Sequence, residues 1–142
     1  MPNEANNLLA DNLFSPALLL AERIERGLVP VQGRTVIELG AGCGLPSMLA
    51  ATGSARGGLP ALVIATDYPD ALILNNLRSN MTRNADMFAP GCAVYSEGFE
   101  WGTNTDHLLY VGILPLDLIL IRQGLNVPIG HISHPVVQVL MS

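Results

Sequence analysis

Three glycines spaced two apart stand between an apolar run and a helical pattern in Val36-Ile-Glu-Leu-Gly-Ala-Gly-Cys-Gly-Leu45. Glycine is the residue for a backbone that must take a positive φ or come close to a ligand. Gly40 and Gly42 are placed to make such a turn, and Gly44 to let the following helix pack close to the strand and to a ligand. Twenty-seven positions after Gly40 comes Asp67, directly behind a second apolar run, Ala61-Leu-Val-Ile-Ala-Thr66. A carboxylate at the end of a strand can accept both hydroxyls of a ribose, and in nucleotide-cofactor folds such an acid follows the glycine turn by about 20 residues. The Gly-rich connection from 53 to 60 accounts for the excess. Asp67 also stands just before Pro69, where the alternative role is that of a helix cap.

Glu38 lies inside the first apolar run, where an unpaired carboxylate is costly. Two partners are open: an amino group on a ligand, reached directly or through water, or an ion pair to Arg23 or Arg26. The turn departs from the dinucleotide pattern G-x-G-x-x-G, because Leu45 occupies the third glycine position. That pattern seats a pyrophosphate on a helix N-terminus. A shorter turn suits S-adenosyl-L-methionine, which carries no phosphate, and a nicotinamide-dinucleotide dehydrogenase is disfavoured. A plain tight turn between strand and helix remains the bland alternative.

The elements that must hold these residues read as strands alternating with helices. Residues 14–26 are helical by pattern, with apolar Leu18, Leu19, Ala21 and Ile24, a start at Ser15-Pro16 and a stop at Gly27. Strands are expected over 34–39, 61–66, 92–96 and 116–121, with helices over 45–52 and 70–82. Leu45, Met48 and Leu49 are read as the apolar side of the first of these two helices. Strand-helix-strand alternation implies βαβ units and a parallel, Rossmann-like α/β sheet with flanking helices. Hydrophobic residues make up 49% of the chain and charged ones 13%, which excludes disorder and fits strands buried on both faces.

The net charge of −5 and the absence of a basic run leave no footprint for nucleic acid or an anionic membrane. The apolar stretches, about ten residues or fewer, fall short of the roughly 20 needed to span a bilayer. Cys43 and Cys92 form no redox or disulfide pattern. With no leader at the N-terminus, a cytoplasmic protein is expected. His131 and His134 lack the further ligands that a metal needs, so no metal is expected. His107 reads as a loop residue. The sequence carries no signal for oligomeric state.

Four segments together carry a family resemblance: Val36–Pro46 (VIELGAGCGLP), Ala65–Asp70 (ATDYPD), Asn75–Asn80 (NNLRSN) and Gly98–Gly102 (GFEWG). In this order they resemble the seven-β-strand protein-lysine methyltransferases, including fungal members labelled nicotinamide N-methyltransferase-like. The likeness covers roughly residues 12–121. It implies that Glu38, Gly40, Gly42 and Gly44 form the first cofactor motif, that Asp67 holds the ribose, and that Trp101 lies against the adenine. The implied cofactor is S-adenosyl-L-methionine. The implied substrate is a protein, through a lysine or N-terminal amine, with translation elongation factors as the class. Read from the residues alone, Trp101 is the one tryptophan of the chain and as such a core candidate, though its polar neighbours place it at a loop edge. Asn75, Asn76 and Asn80 are equally readable as polar positions on an exposed helix, and Tyr68 as a cofactor contact or a helix start.

The resemblance divides the chain into a loose lead at 1–10, a cofactor-binding half-domain at 11–121 and a divergent tail at 122–142. Where the family carries an acid at the active-site rim, this chain reads Ile121-Arg-Gln-Gly-Leu-Asn126. About four of the seven strands are expected, and the chain is read as truncated at its C-terminal side with activity impaired accordingly. The alternative is a non-catalytic fragment or pseudo-enzyme that keeps cofactor or partner binding. No catalytic residue is assigned. An open apolar edge at the fourth strand would be an aggregation hazard, and Pro135–Met141 has the composition of a strand that could pair there.

Overall fold

The computed structural model describes residues 15–104 together with the strands 118–122 and 137–141. The expected lead at 1–10, His107, and the pair His131 and His134 lie outside the described residues. Five strands form one sheet: β1 (Thr35–Leu39), β2 (Leu62–Asp67), β3 (Ala93–Gly98), β4 (Leu118–Arg122) and β5 (Val137–Met141). Their order is β3-β2-β1-β4-β5 and every pairing is parallel. Helix α1 (Ser15–Glu25) precedes β1, α2 (Leu45–Ala51) joins β1 to β2, and α3 (Ala71–Arg83) joins β2 to β3 through a 3-10 turn at Ala85–Met87. The expected Rossmann-like α/β sheet is present, and beside the four expected strands stands the one offered at Pro135–Met141. That strand is β5, which pairs with β4 from Leu118↔Val137 to Arg122↔Met141, so β4 lies inside the sheet.

β1 is central, and all five of its residues are buried. β3 is an edge strand, exposed at Ala93 and Tyr95 and half-buried at its other residues. Val36 and Glu38 are two apart in β1 and share a face. The core on that side joins Leu20 and Ile24 of α1, Ala50 and Ala51 of α2, Val29, Val31, Val36 and Val63.

Two faces differ from the sequence expectation. In α1 the buried side is Ala17, Leu20, Ala21 and Ile24, while Leu18 and Leu19 are exposed. The spacing of three, four and seven residues from Ala17 is the helical period, and it selects one leucine out of three in a row. In α2 the buried residues are Pro46, Ser47, Ala50 and Ala51, while Leu45, Met48 and Leu49 are half-buried. Small side chains face the sheet there, which lets a two-turn helix lie close to β1. Among the described residues no helix is long and apolar enough to cross a membrane.

Candidate functional site

The strand order reverses at β1: β2 and β3 lie on one side, β4 and β5 on the other. In open parallel sheets ligands bind outside the carboxyl ends of the strands, at the point where the order reverses. The candidate residues occupy those ends. The glycine turn leaves β1, Asp67 is the last residue of β2, and Trp101 follows β3.

The turn is left-handed at three places, with φ of 68° at Gly40, 56° at Gly42 and 84° at Gly44. Side chains would be strained at each. At Gly40 and Gly44 space is tight as well. A Cβ on Gly40 would lie 3.2 Å from Cζ2 of Trp101, and one on Gly44 would lie 2.8 Å from Cδ1 of Leu77. Gly40 therefore admits the indole, and Gly44 admits α3, with Met81 next in line. The close approach expected of Gly44 is thus to Leu77 and Met81 of a different helix.

Asp67 reaches back to the turn. Its Oδ2 accepts the Gly42 N–H at 2.7 Å, and its Oδ1 accepts the Tyr68 N–H at 2.7 Å. A carboxylate has about four acceptor positions, so each oxygen keeps capacity for a further donor. The helix-cap alternative belongs to another acid. Asp70 caps α3, its Oδ1 accepting the N–H groups of Leu72 at 2.9 Å and Ile73 at 3.2 Å. The chain then passes from β3 through Gly98, where a Cβ would lie 3.1 Å from Cβ of Pro69, into the fully buried Phe99. The Phe99 N–H donates to the Asp67 carbonyl at 2.7 Å. This anchor brings the half-buried Trp101 back over the first glycine.

Glu38 has no exposed surface. Its Oε2 accepts the Ser47 N–H at 3.1 Å and also the Ser47 hydroxyl. Both arginines offered as ion-pair partners are exposed, Arg23 on α1 and Arg26 in the turn after it, and Arg26 pairs with Glu22 at 3.5 Å. The Thr66 hydroxyl donates to the Glu38 carbonyl at 2.7 Å, tying β1 to β2 just below the turn.

Two contributors were not assigned from the sequence. Ser47 is one, although a polar residue in the otherwise apolar Leu45–Ala51 was the available signal. Asn80 is the other: its Nδ2 donates to the Cys43 carbonyl at 3.2 Å, which makes it a support for the turn. Asn75 is exposed, as its polar reading had it, and Tyr68 is about half exposed beside Asp67. Cys92 lies away at the start of β3, where burial pushes its thiol up to about 11. Burial thus favours the neutral thiol there. Among the described residues no cluster could hold a metal ion.

Residues 4–123 match a family described as lysine methyltransferase. The chain is 33% identical over 105 residues to the protein N-terminal and lysine N-methyltransferase of Schizosaccharomyces pombe, covering 74% of this chain and 38% of that protein. The protein of the same name from Yarrowia lipolytica is 37% identical over 118 residues, 73% of this chain and 40% of its own length. That from Cryptococcus neoformans is 41% identical over 85 residues, 59% of this chain and 25% of its own. The chain therefore spans about two fifths of the length of the first two of these curated relatives.

Proposed function

The chain belongs to the lysine methyltransferase family, and from that premise we propose that it binds S-adenosyl-L-methionine across the carboxyl ends of β1, β2 and β3. The reading extends to methyl transfer onto a lysine or N-terminal amine of a protein, the chemistry named for its relatives, with a translation elongation factor as the class of acceptor. The cofactor-binding unit is residues 11–121, and the compartment is the cytoplasm.

The observation that carries the reading is the convergence of Asp67 and Trp101 on one glycine turn. In this reading, three subsites follow the strand order β3-β2-β1. Trp101 after β3 offers a flat face to adenine. Asp67 at the end of β2 offers free acceptor positions to the ribose hydroxyls. At the end of β1, Gly40 makes room for the Trp101 indole, and Gly42 puts no side chain of its own between the backbone and the methionine end. Glu38 supports that turn from beneath. Bound here, the cofactor supplies a methyl group already activated on a sulfonium. The protein's share is then to orient donor and acceptor in line and to exclude water. An acceptor amine must arrive unprotonated, which an apolar approach favours.

The test is calorimetric titration of the protein with S-adenosyl-L-methionine, with Asp67→Ala in parallel. Loss of two charge-assisted bonds predicts roughly a hundredfold weaker binding. Equal affinity for both proteins, or no binding by the folded protein, would refute the site. A second reading is cofactor binding without transfer, favoured by the missing rim acid in Ile121–Asn126. Binding without methylation of any protein acceptor would select it.

A further inference from the structure

We infer that Ser47 is a positioning residue of this site: through Glu38 it fixes the glycine turn that meets the methionine end of the cofactor, an inference that rests on the cofactor reading above. Glu38 lies in β1 and Ser47 in α2, on either side of the turn. Both are fully buried, and the carboxylate Oε2 takes both donors of Ser47, backbone and hydroxyl. The two residues thus close a ring around Gly40–Gly44. The start of α2 cannot shift against β1 without breaking these bonds.

Helix α2 has an unusual need for such a partner. Its cap residue is Gly44, which makes no side-chain cap bond, and Pro46 brings no N–H. A helix start leaves its first N–H groups unsatisfied, and a capping side chain normally takes one of them. Here the acid of the preceding strand does so, at the Ser47 N–H. The hydroxyl bond adds a second tie whose removal leaves a buried carboxylate short of a donor. The adenosine end of the ligand rests on Asp67 and Trp101, which meet the turn at Gly42 and Gly40 but are themselves anchored on β2 and after β3. A loosened clamp therefore acts mainly on the amino-acid end. A residue important only for stability would weaken both ends alike, or neither.

The experiment titrates wild type, Ser47→Ala and Ser47→Thr with two probes. S-adenosylhomocysteine carries the amino-acid portion. 5′-Methylthioadenosine keeps the adenosine and lacks that portion. Loss of one bond to a charged group predicts about a tenfold weaker S-adenosylhomocysteine complex for Ser47→Ala. The 5′-methylthioadenosine complex should change by no more than about two- to threefold, and Ser47→Thr should restore most of the loss. Thermal melting shows which variants are folded. If Ser47→Ala is not, Glu38→Gln keeps an acceptor for Ser47 without the charge and is expected to show the same selectivity. Equal losses for the two probes, or none, would overturn the role of Ser47 while leaving the cofactor site standing. Failure of the wild type to bind either probe would overturn the cofactor reading and this inference together.

Discussion

The chain has two glycine-rich segments, and they serve opposite ends of the sheet. Gly40–Gly44 leaves the carboxyl end of β1, while the segment from Gly53 to Gly58 leads into the amino end of β2. Both use left-handed backbone, at Gly53 and Gly58 as at Gly40, Gly42 and Gly44. The partners differ. The first turn is met by side chains from three other elements: Asp67 on the Gly42 N–H, Asn80 on the Cys43 carbonyl and Trp101 over Gly40. The second is held by the neighbouring loop. The Gly57 carbonyl accepts the N–H groups of Val31 at 3.1 Å and Gln32 at 3.0 Å, and the Gln32 side chain accepts the Leu59 N–H at 2.8 Å. Glycine content alone does not mark a site. In a parallel sheet the end of the strand at which the glycines lie decides between ligand binding and closure of the fold.

Alanine at Gly57 should give the largest effect and break the comparison most visibly. Its Cβ would run into the Val29 carbonyl oxygen, which is backbone and cannot swing aside. Val29 and Val31 are fully buried on either side of that point, so a shift would disturb the core. We expect Gly57→Ala to lose about 3 kcal/mol of stability in denaturant unfolding. Cofactor affinity of the folded protein should stay within about twofold. If affinity falls with stability intact, the division between the two segments is wrong.

Gly40→Ala tests the other segment. The residue would carry a side chain at φ 68°, with its Cβ 3.2 Å from the indole of Trp101. Left-handed strain costs about 1–2 kcal/mol, and the ring must give way by a few tenths of an ångström. We expect a smaller loss of stability than for Gly57→Ala, and about tenfold weaker cofactor binding through the displaced indole. Because Trp101 is the one tryptophan of the chain, its fluorescence reports that displacement directly. An unchanged emission spectrum with unchanged affinity would remove Trp101 from the site.

How much of this was open to sequence reasoning depended on the distance over which each feature acts. The alternation of strands and helices is a local property, and it was legible. The exact face of α1 was not, because three leucines in a row offer several stripes and packing against Val36 and Val63 chooses one. Asp67 and Asp70 both stand before α3 and both could cap it. The structure assigns the cap to Asp70 because its carboxylate reaches the N–H groups of Leu72 and Ile73. The glycine turn and its acid could be found by spacing, whereas the contact of Trp101 with Gly40 depends on a strand order that no spacing records. The bond between Glu38 and Ser47 was half legible. A buried acid demands a donor, but only the packing of α2 on β1 shows which residue supplies it.

The smallest expected effect belongs to Asn80, and it sharpens the comparison because its side chain reaches the first segment through that segment's backbone. Its amide Nδ2 donates to the Cys43 carbonyl at 3.2 Å from the third turn of α3. One neutral hydrogen bond contributes about 1 kcal/mol, so Asn80→Ala should lower stability by about that much and cofactor affinity by a few-fold. Asn80→Asp is the more telling change. It keeps the shape of the side chain but turns the donor into a charged acceptor facing a carbonyl oxygen, so it should weaken binding more than alanine does. The order of the three proteins in one titration series is the measurement. If aspartate binds as well as asparagine, the Cys43 carbonyl is not held from α3, and the turn relies on Asp67 and the Glu38–Ser47 clamp alone.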